Sequence, residues 1–439
     1  MRLSVIGLGK LGAPMAACFA ASGFEVIGVD KDVSKVEMIN RGQAPVYEPG
    51  LAELLTICGD RLKATTDLKT AVASSEVTFV IVPTPSEPDG SFSLRYVVQA
   101  CEGIGKALRR KQTWHLVVIT STVSPLSMDQ TIRPCLELYS HKRCGSDFGL
   151  CYGPEFIALG SVIRDLLYPD FVLIGESDPK AGETLADIYR HLCKNDPPVA
   201  RMNFVNAELT KLAVNTFVTT KISFANMLAR ICERLPGANV DVVTAALGLD
   251  SRIGPRYLKG AIGYGGPCFP RDNLALVALG RSIGVPAALA EVTDAFNRKQ
   301  VQWLAALVKK YLPSKGRVAI LGLAYKPNSD VVEESQGLLL TQQLIREGIN
   351  VIAYDPVARN NAQHVLDGTL TLATNLSECI MQADVIVITT PWEEFKSIHT
   401  FCFEKDNAPR VIIDCWRYLN LEDIKKNFVY IPLGINEEI

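Results

Sequence analysis

The chain reads as α/β, with two doubly wound parallel sheets joined by a long central helix and a helical middle segment. Three observations predict it. The N-terminal RLSVIGLGKLG is a short apolar strand running straight into Gly7, Gly9 and Gly12. Strands and helices alternate through the first third, and the last third repeats that order from near Arg317. Between them AELTKLAVNTFVTTKISFANMLARICERL, from Ala207, holds neither proline nor glycine and spaces its apolar residues as a helix does.

The first turn is GxGxxG in the context that gives the pattern meaning. It follows a strand, carries Lys10 and Leu11 between its glycines, opens the helix APMAACFAASG, and leads to a second strand, EVIGVD, that ends in Asp30. Such a turn admits a pyrophosphate to a helix N-terminus, where unpaired amides and the dipole favour negative charge. Asp30, 18 residues after Gly12, is placed to accept hydrogen bonds from ribose hydroxyls. A carboxylate there repels a 2′-phosphate and favours NAD over NADP, while the adjacent Lys31 weakens that discrimination.

The strands VTFVIVPTP, HLVVITSTV, LCYGPEF and FVLIG follow, read as one parallel sheet covered by helices. Their ends carry Pro83, Thr84, Thr122 and Glu155. Ligands of open parallel sheets sit beyond the carboxyl ends of strands, so these residues are expected around one crevice with Asp30. On the central helix Lys211, Asn215 and Thr219 are spaced by four and share a face. Their apolar neighbours mark that helix as mostly buried, so these polar groups need partners.

In the last third GRVAILGLAY, INVIAYDP, ADVIVITTP and RVIIDCW repeat the order of the first sheet, giving a second Rossmann-like domain. Its first turn, starting at Gly322, lacks the full glycine fingerprint, so a ligand other than a dinucleotide is expected there. The domains expected are 1–200 for the dinucleotide, 201–312 for the helical middle and 313–439 for the second sheet.

At 439 residues the chain exceeds one typical core. Forty-five basic and 47 acidic residues give a net charge of −2, which offers no field for nucleic acid or anionic membrane. No apolar run reaches the roughly 20 residues of a spanning helix, and the first strand begins beside Met1, so a cytoplasmic chain is expected. The 12 cysteines form no CxxC pair, so neither a metal site nor a disulfide framework is expected.

One cysteine stands apart. GYGGPCFPRD, residues 263–272, presents Cys268 on a glycine-rich loop stiffened by Pro267 and Pro270, with Asp272 four residues on as proton acceptor or water holder. Most cysteines are small buried apolar residues. This setting reads instead as that of a nucleophile.

Together GLGKLG, VPTP (82–85), STV (121–123), PEF (154–156), AELTKLAVN (207–215), SRIGPRYLKGAIGYGGPCFPRD (from 251) and GLAYKP (322–327) resemble the UDP-glucose/GDP-mannose dehydrogenase family over nearly the whole chain. The resemblance implies NAD-dependent oxidation of a nucleotide-sugar C6 alcohol to a carboxylate through a thiohemiacetal and a thioester on Cys268. It implies that Lys211 and Asn215 donate to the alkoxide or oxyanion, that Asp272 and Thr122 hold water, and that Glu155 is the base for hydrolysis. Structural alternatives stand beside these roles: a surface lysine at 211, a helix-capping acid at 155, a plain strand-end hydroxyl at 122. On the substrate side the resemblance implies Phe156, Arg256, Tyr257, Lys259, Tyr264, Gly265 and Lys326, with Arg256 reaching a neighbouring subunit of a homodimer or larger homo-oligomer.

Three positions depart from the family pattern. Leu159 stands where an acid is usual, Glu333 where an arginine is usual, and Trp416 near a usual arginine, for which Arg417 would substitute. The first two imply an altered nicotinamide environment. Pro267, where acetamido-sugar enzymes usually carry histidine, places the loop nearer the UDP-glucose and GDP-mannose branches. A hydroxyacid dehydrogenase would share the first turn but not the second sheet. A non-catalytic NAD-sensing protein would not need Cys268, Lys211, Asn215 and Asp272 together.

Overall fold

The computed structural model describes residues 1–370, 372–401, 410–424 and 428–436. The chain forms two compact units, Met1–Ala213 and Val214–Ile439. The division falls within the long helix, and the second unit holds both the helical middle segment and the second sheet.

Unit 1 is built on an eight-stranded sheet, β1 (Arg2–Ile6), β2 (Glu25–Val29), β3 (Leu62–Thr65), β4 (Val77–Val80), β5 (Leu116–Ile119), β6 (Gly149–Tyr152), β7 (Val172–Glu176) and β8 (Val199–Met202). Their order across the sheet is β3-β2-β1-β4-β5-β6-β7-β8. β1, β4, β5 and β6 are buried on both faces almost throughout, as the near-continuous apolar runs require when helices cover both sides. Leu3 and Val5 pack on one side of the sheet and Ile6 on the other. Strand hydroxyls are paired rather than left dry: Ser4 Oγ lies 2.7 Å from Thr78 Oγ1, which lies 2.8 Å from a buried His115 ring nitrogen.

The uniform parallel sheet expected from the sequence is corrected at one joint, because β6 and β7 pair antiparallel. The segment between them is spent on the Pro154–Phe156 loop and the six-residue helix Val162–Leu167. A parallel return needs a covering crossover, and this segment supplies none, so the chain doubles back. β3 and β8 are short strands that the apolar pattern left unmarked.

The second sheet contains β9 (Arg317–Leu321), β10 (Asn350–Tyr354), β11 (Val385–Ile388), β12 (Arg410–Asp414) and β13 (Phe428–Pro432), in the order β10-β9-β11-β12-β13. All four joints are parallel, and β9 begins at the expected Arg317.

The two first turns share one device. Gly7 has φ +97°, and a Cβ on Gly12 would stand 1.8 Å from the Gly7 carbonyl oxygen. Gly322 has φ +105°, and a Cβ on Gly337 would stand 2.1 Å from the Gly322 oxygen. The second fingerprint therefore keeps its first and last glycines in space, separated by the inserted segment Leu323–Gln336. The strand-end acids have diverged. Asp355, after β10, accepts from the amides of Leu323, Ala324, Val357 and Ala358 and from Trp392 Nε1, and is buried. That set of five donors leaves it no share for a ribose.

The long helix runs Phe204–Cys232, capped by Asn203, whose Oδ1 accepts from the Asn206 amide. It ends just before Pro236 and Gly237, which cannot continue it.

Candidate active site

In unit 1, β2, β1, β4, β5 and β6 are consecutive neighbours and mutually parallel, so their carboxyl ends share one edge. Gly7, Asp30, Thr84, Thr122 and Glu155 are brought to that edge. The helix Gly12–Ala21 starts there with no side chain capping it, so its positive dipole end lies at that edge. A Cβ on Gly9 would meet nothing within 4 Å, so that residue's face is open. Asp30 is fixed by two amides, Oδ2 accepting from Leu8 at 2.8 Å and Oδ1 from Asp32 at 2.9 Å. Its second lone pairs stay available to ribose hydroxyls. Lys10 and Leu11 occupy the turn itself. Lys31 is exposed, with Nζ 5.7 Å from the centre of the Tyr96 ring. An open glycine face, an uncapped helix and a fixed carboxylate fit NAD.

Thr84 follows Pro83 and is buried, its hydroxyl donating to the Thr122 carbonyl at 2.9 Å. Ser121, which the sequence did not single out, accepts from the Val82 amide and donates to its carbonyl, so the two strand-end loops are tied twice. The loop beyond Thr122 is anchored by Glu208, whose carboxylate accepts from the amides of Leu126 and Met128, both at 2.8 Å. Leu126 is held there at φ +75°.

Glu155 keeps some surface accessible, yet its carboxyl is packed deeply enough that burial pushes its pKa from 4.5 up to about 7. Tyr189, which donates its hydroxyl to Oε1, and the Lys211 charge both pull the other way without overcoming burial. Lys211 is itself buried, donates to the Glu155 carbonyl at 2.6 Å and sits 4.5 Å from the centre of the Phe156 ring. It is not a surface helix residue.

In unit 2, Cys268 sits at the N-cap position of the helix Phe269–Ser282. The dipole of a helix start favours a thiolate there. Asp272, in the first turn, is fully buried; its amide donates to the Cys268 carbonyl at 2.8 Å and its Oδ2 accepts from Asn215 Nδ2 at 2.6 Å. Oδ1 accepts no hydrogen bond among the described residues and stands 3.6 Å from Arg271 Nε. Asn273 donates to the hydroxyls of Thr219 and Tyr264, each at 3.0 Å. Tyr257 is half exposed at φ +62°, its ring edge-on to Phe269, and Arg256 is exposed. A Cβ on Gly265 would meet the Glu334 carbonyl at 2.3 Å. Lys326 lies beside Tyr325, whose ring covers Gly266.

Arg417 is half-buried and held by partners of its own unit. Its guanidinium is paired with Asp241 at 2.7 and 2.8 Å and donates to the carbonyls of Gly260 and Leu433. Four of its five N–H donors are thus used inside unit 2. Sequence reasoning also missed Glu208, Thr219 as a partner of Asn273, and Asn226, although a polar residue every third or fourth position on an otherwise apolar helix was the available signal. Tyr189, Asn297 and Gln336 carried no such signal.

The first unit thus carries a dinucleotide-type edge, and the second a cysteine at a helix start with a buried acid one turn on. The described residues carry no helix long and apolar enough to cross a membrane. Residues 1–193 match the model of the UDP-glucose/GDP-mannose dehydrogenase family NAD binding domain, 205–299 the family's central domain and 319–421 its UDP binding domain. UDP-glucose 6-dehydrogenase AglM of Haloferax volcanii is 39% identical over 91% of this chain and 93% of its own. GDP-mannose 6-dehydrogenase of Azotobacter vinelandii is 33% identical over 91% and 93%. The solved UDP-glucose dehydrogenase of the hyperthermophilic archaeon Pyrobaculum islandicum superposes with a TM-score of 0.89 at 34% identity, covering 99% of this chain and 98% of that one. The chain belongs to the UDP-glucose/GDP-mannose dehydrogenase family, the nucleotide-sugar 6-dehydrogenases, and its cofactor is NAD.

Proposed function

We propose that this chain oxidises the C6 alcohol of UDP-glucose to the carboxylate of UDP-glucuronate. The observation that carries the reading is Cys268 at a helix start, with the buried Asp272 one turn along and tied to Asn215. NAD, when bound, takes a hydride at each of the two oxidations, and the C6 hydroxyl proton released in the first passes to water.

The chain's own residues do the rest. An aldehyde has no second hydride to give until a nucleophile makes its carbon tetrahedral. The Cys268 thiolate adds to that carbon, and the oxygen it leaves negative is met by donors from Lys211 Nζ and Asn215 Nδ2. Loss of hydride from the thiohemiacetal gives a thioester. Water then attacks, losing its proton to Glu155, and the C–S bond breaks to return the thiolate. A carboxyl with a pKa near 7 is matched to that task at neutral pH. The acceptor oxygen Asp272 Oδ1 suits a water. On the substrate side the reading assigns Phe156, Arg256, Tyr257, Lys259, Tyr264, Gly265 and Lys326.

UDP-glucose is preferred over UDP-acetamido sugars on Pro267 before the cysteine. GDP-mannose is the second reading, since relatives of that name match at similar identity. A nucleotide-sugar panel with NAD, read as NADH formed per sugar, tests both: two NADH with UDP-glucose supports the reading, and turnover confined to GDP-mannose or an acetamido sugar replaces it.

The proposal includes a homodimer in the cytoplasm. Phe217, Phe224, Met227 and Ile231 form an exposed apolar stripe along the long helix, with Leu235 exposed just past its end and Leu289 and Val292 exposed on the helix Ala288–Tyr311. A stripe of that length is a common mark of a protein interface. Sedimentation at the monomer mass across the micromolar range would refute the dimer.

A further inference from the structure

The stretch from Gly260 to Tyr264 is buried although it belongs to no helix or strand. Buried irregular backbone is costly, because each amide and carbonyl must find a partner away from water. Here the partners are side chains from elements distant in sequence. Asn226 Oδ1 accepts from the Ala261 amide and its Nδ2 donates to the Ile262 carbonyl, both at 2.8 Å. Asn297 Oδ1 accepts from the Tyr264 amide at 2.8 Å and its Nδ2 donates to the Tyr264 carbonyl at 2.9 Å. Each amide side chain thus meets the loop with one donor and one acceptor, as a neighbouring strand would. Gln336 Nε2 adds a bond to the Tyr264 carbonyl at 3.1 Å, and the Gly266 amide donates to the Glu333 carbonyl at 3.0 Å. Both asparagines are buried.

We propose that Asn226 and Asn297 are positioning residues for Cys268: they stand in for a missing strand on either side of Ile262 and fix the backbone that aims the sulfur. The proposal rests on the cysteine chemistry above. A loop pinned at Ala261 and Tyr264 enters Gly265–Cys268 from a single direction, so the thiol keeps both its place at the helix start and its line of approach to the aldehyde carbon.

The full-length chain tests this with Asn226→Ala, Asn297→Ala and Asn297→Asp. The aspartate keeps the acceptor for the Tyr264 amide but sets a carboxylate oxygen against the Tyr264 carbonyl, so a role in bulk alone would leave it harmless. Two readouts are followed: kcat and KM for UDP-glucose, and the rate at which iodoacetamide alkylates Cys268 between pH 6 and 9, read on the Cys268 peptide by mass spectrometry. The expected result is a fall in kcat of about tenfold to a hundredfold with KM changed by less than about threefold, and an alkylation profile displaced from the parent's in all three variants. Folded variants with the parent's kcat and alkylation profile overturn the proposal. Hydrogen exchange on the parent chain needs no variant: strong protection of the Ala261 and Tyr264 amides is expected, and exchange at open-chain rates overturns the clamp even if the variants do not fold. A parent chain that makes no NADH from any nucleotide sugar would sink the proposed activity instead, while alkylation and exchange would still judge the clamp.

Discussion

Asn215 Nδ2 donates to Asp272 Oδ2 at 2.6 Å, and that bond joins the long helix to the first turn of the helix that Cys268 begins. Asp272 has no accessible surface, and its other oxygen faces Arg271 only at 3.6 Å. The amide is therefore the carboxylate's one short side-chain donor among the described residues.

Removing it exposes the cost. Asn215→Ala should destabilise unit 2 by about 1–3 kcal/mol, because it leaves a buried charged acceptor short of a donor. The same variant should lower kcat by about a hundredfold or more through the lost oxyanion donor. Thermal melts and NADH-linked kinetics on one preparation separate the effects. Normal stability with normal kcat would remove Asn215 from both roles.

The raised pKa of Glu155 sets a pH dependence with a definite sign. As a base it works only when ionised, so thioester hydrolysis should rise with pH through about 7 and level off above it. Tyr189→Phe deletes the hydroxyl that lowers this pKa, and should move the limb to higher pH. For stability the protonated form is the favoured one in the fold. That contribution is complete below about 4.5 and is lost as pH climbs through about 7. Glu155→Gln should flatten the stability change over that window, which urea melts across pH would read.

Asp30 should make NAD the better cofactor. A 2′-phosphate would meet a carboxylate already fixed by the Leu8 and Asp32 amides, which cannot swing aside without leaving them unpaired. A kcat/KM for NADP at least about tenfold below that for NAD is expected, on the scale of one unfavourable charge contact. Equal values would refute the assignment, and Asp30→Ser should narrow the gap.

Gly263 has no room for a side chain. A Cβ there would stand 2.5 Å from Gln336 Oε1 and 2.6 Å from Asn297 Oδ1. Gly263→Ala should cost about 1–3 kcal/mol by overpacking and lower kcat as the asparagine variants do. Parent-like melting and turnover would show that the loop is not held as described.

What the sequence disclosed depended on how local each signal was. The turn from Gly7 to Asp30 was legible because strand, glycines, helix and strand-end acid follow one another within a single unit of chain. The cysteine loop stood out by composition, and the repeat of the sheet by its apolar runs. The second turn hid its homology because Leu323–Gln336 separates two glycines that meet only in space. The loop's partners were illegible for a related reason: Asn297 and Gln336 lie 33 and 72 residues from Tyr264, and nothing local marks an asparagine that will pair with backbone. The pairing of Arg417 was illegible too, because Asp241 lies 176 residues away. The antiparallel joint between β6 and β7 turned on the length of a covering helix, which apolar spacing does not report.

The account rests on a covalent thioester at Cys268. The most direct test is the intact mass of Glu155→Gln protein quenched during turnover with UDP-glucose and NAD. We predict an adduct of the uridine-diphosphoglucuronyl mass that maps to the Cys268 peptide and is absent when Cys268→Ser is combined with it, because slowed hydrolysis lets the acyl enzyme accumulate. No adduct on Cys268, together with Cys268→Ser turning over at the parent rate with two NADH per sugar, would contradict the mechanism.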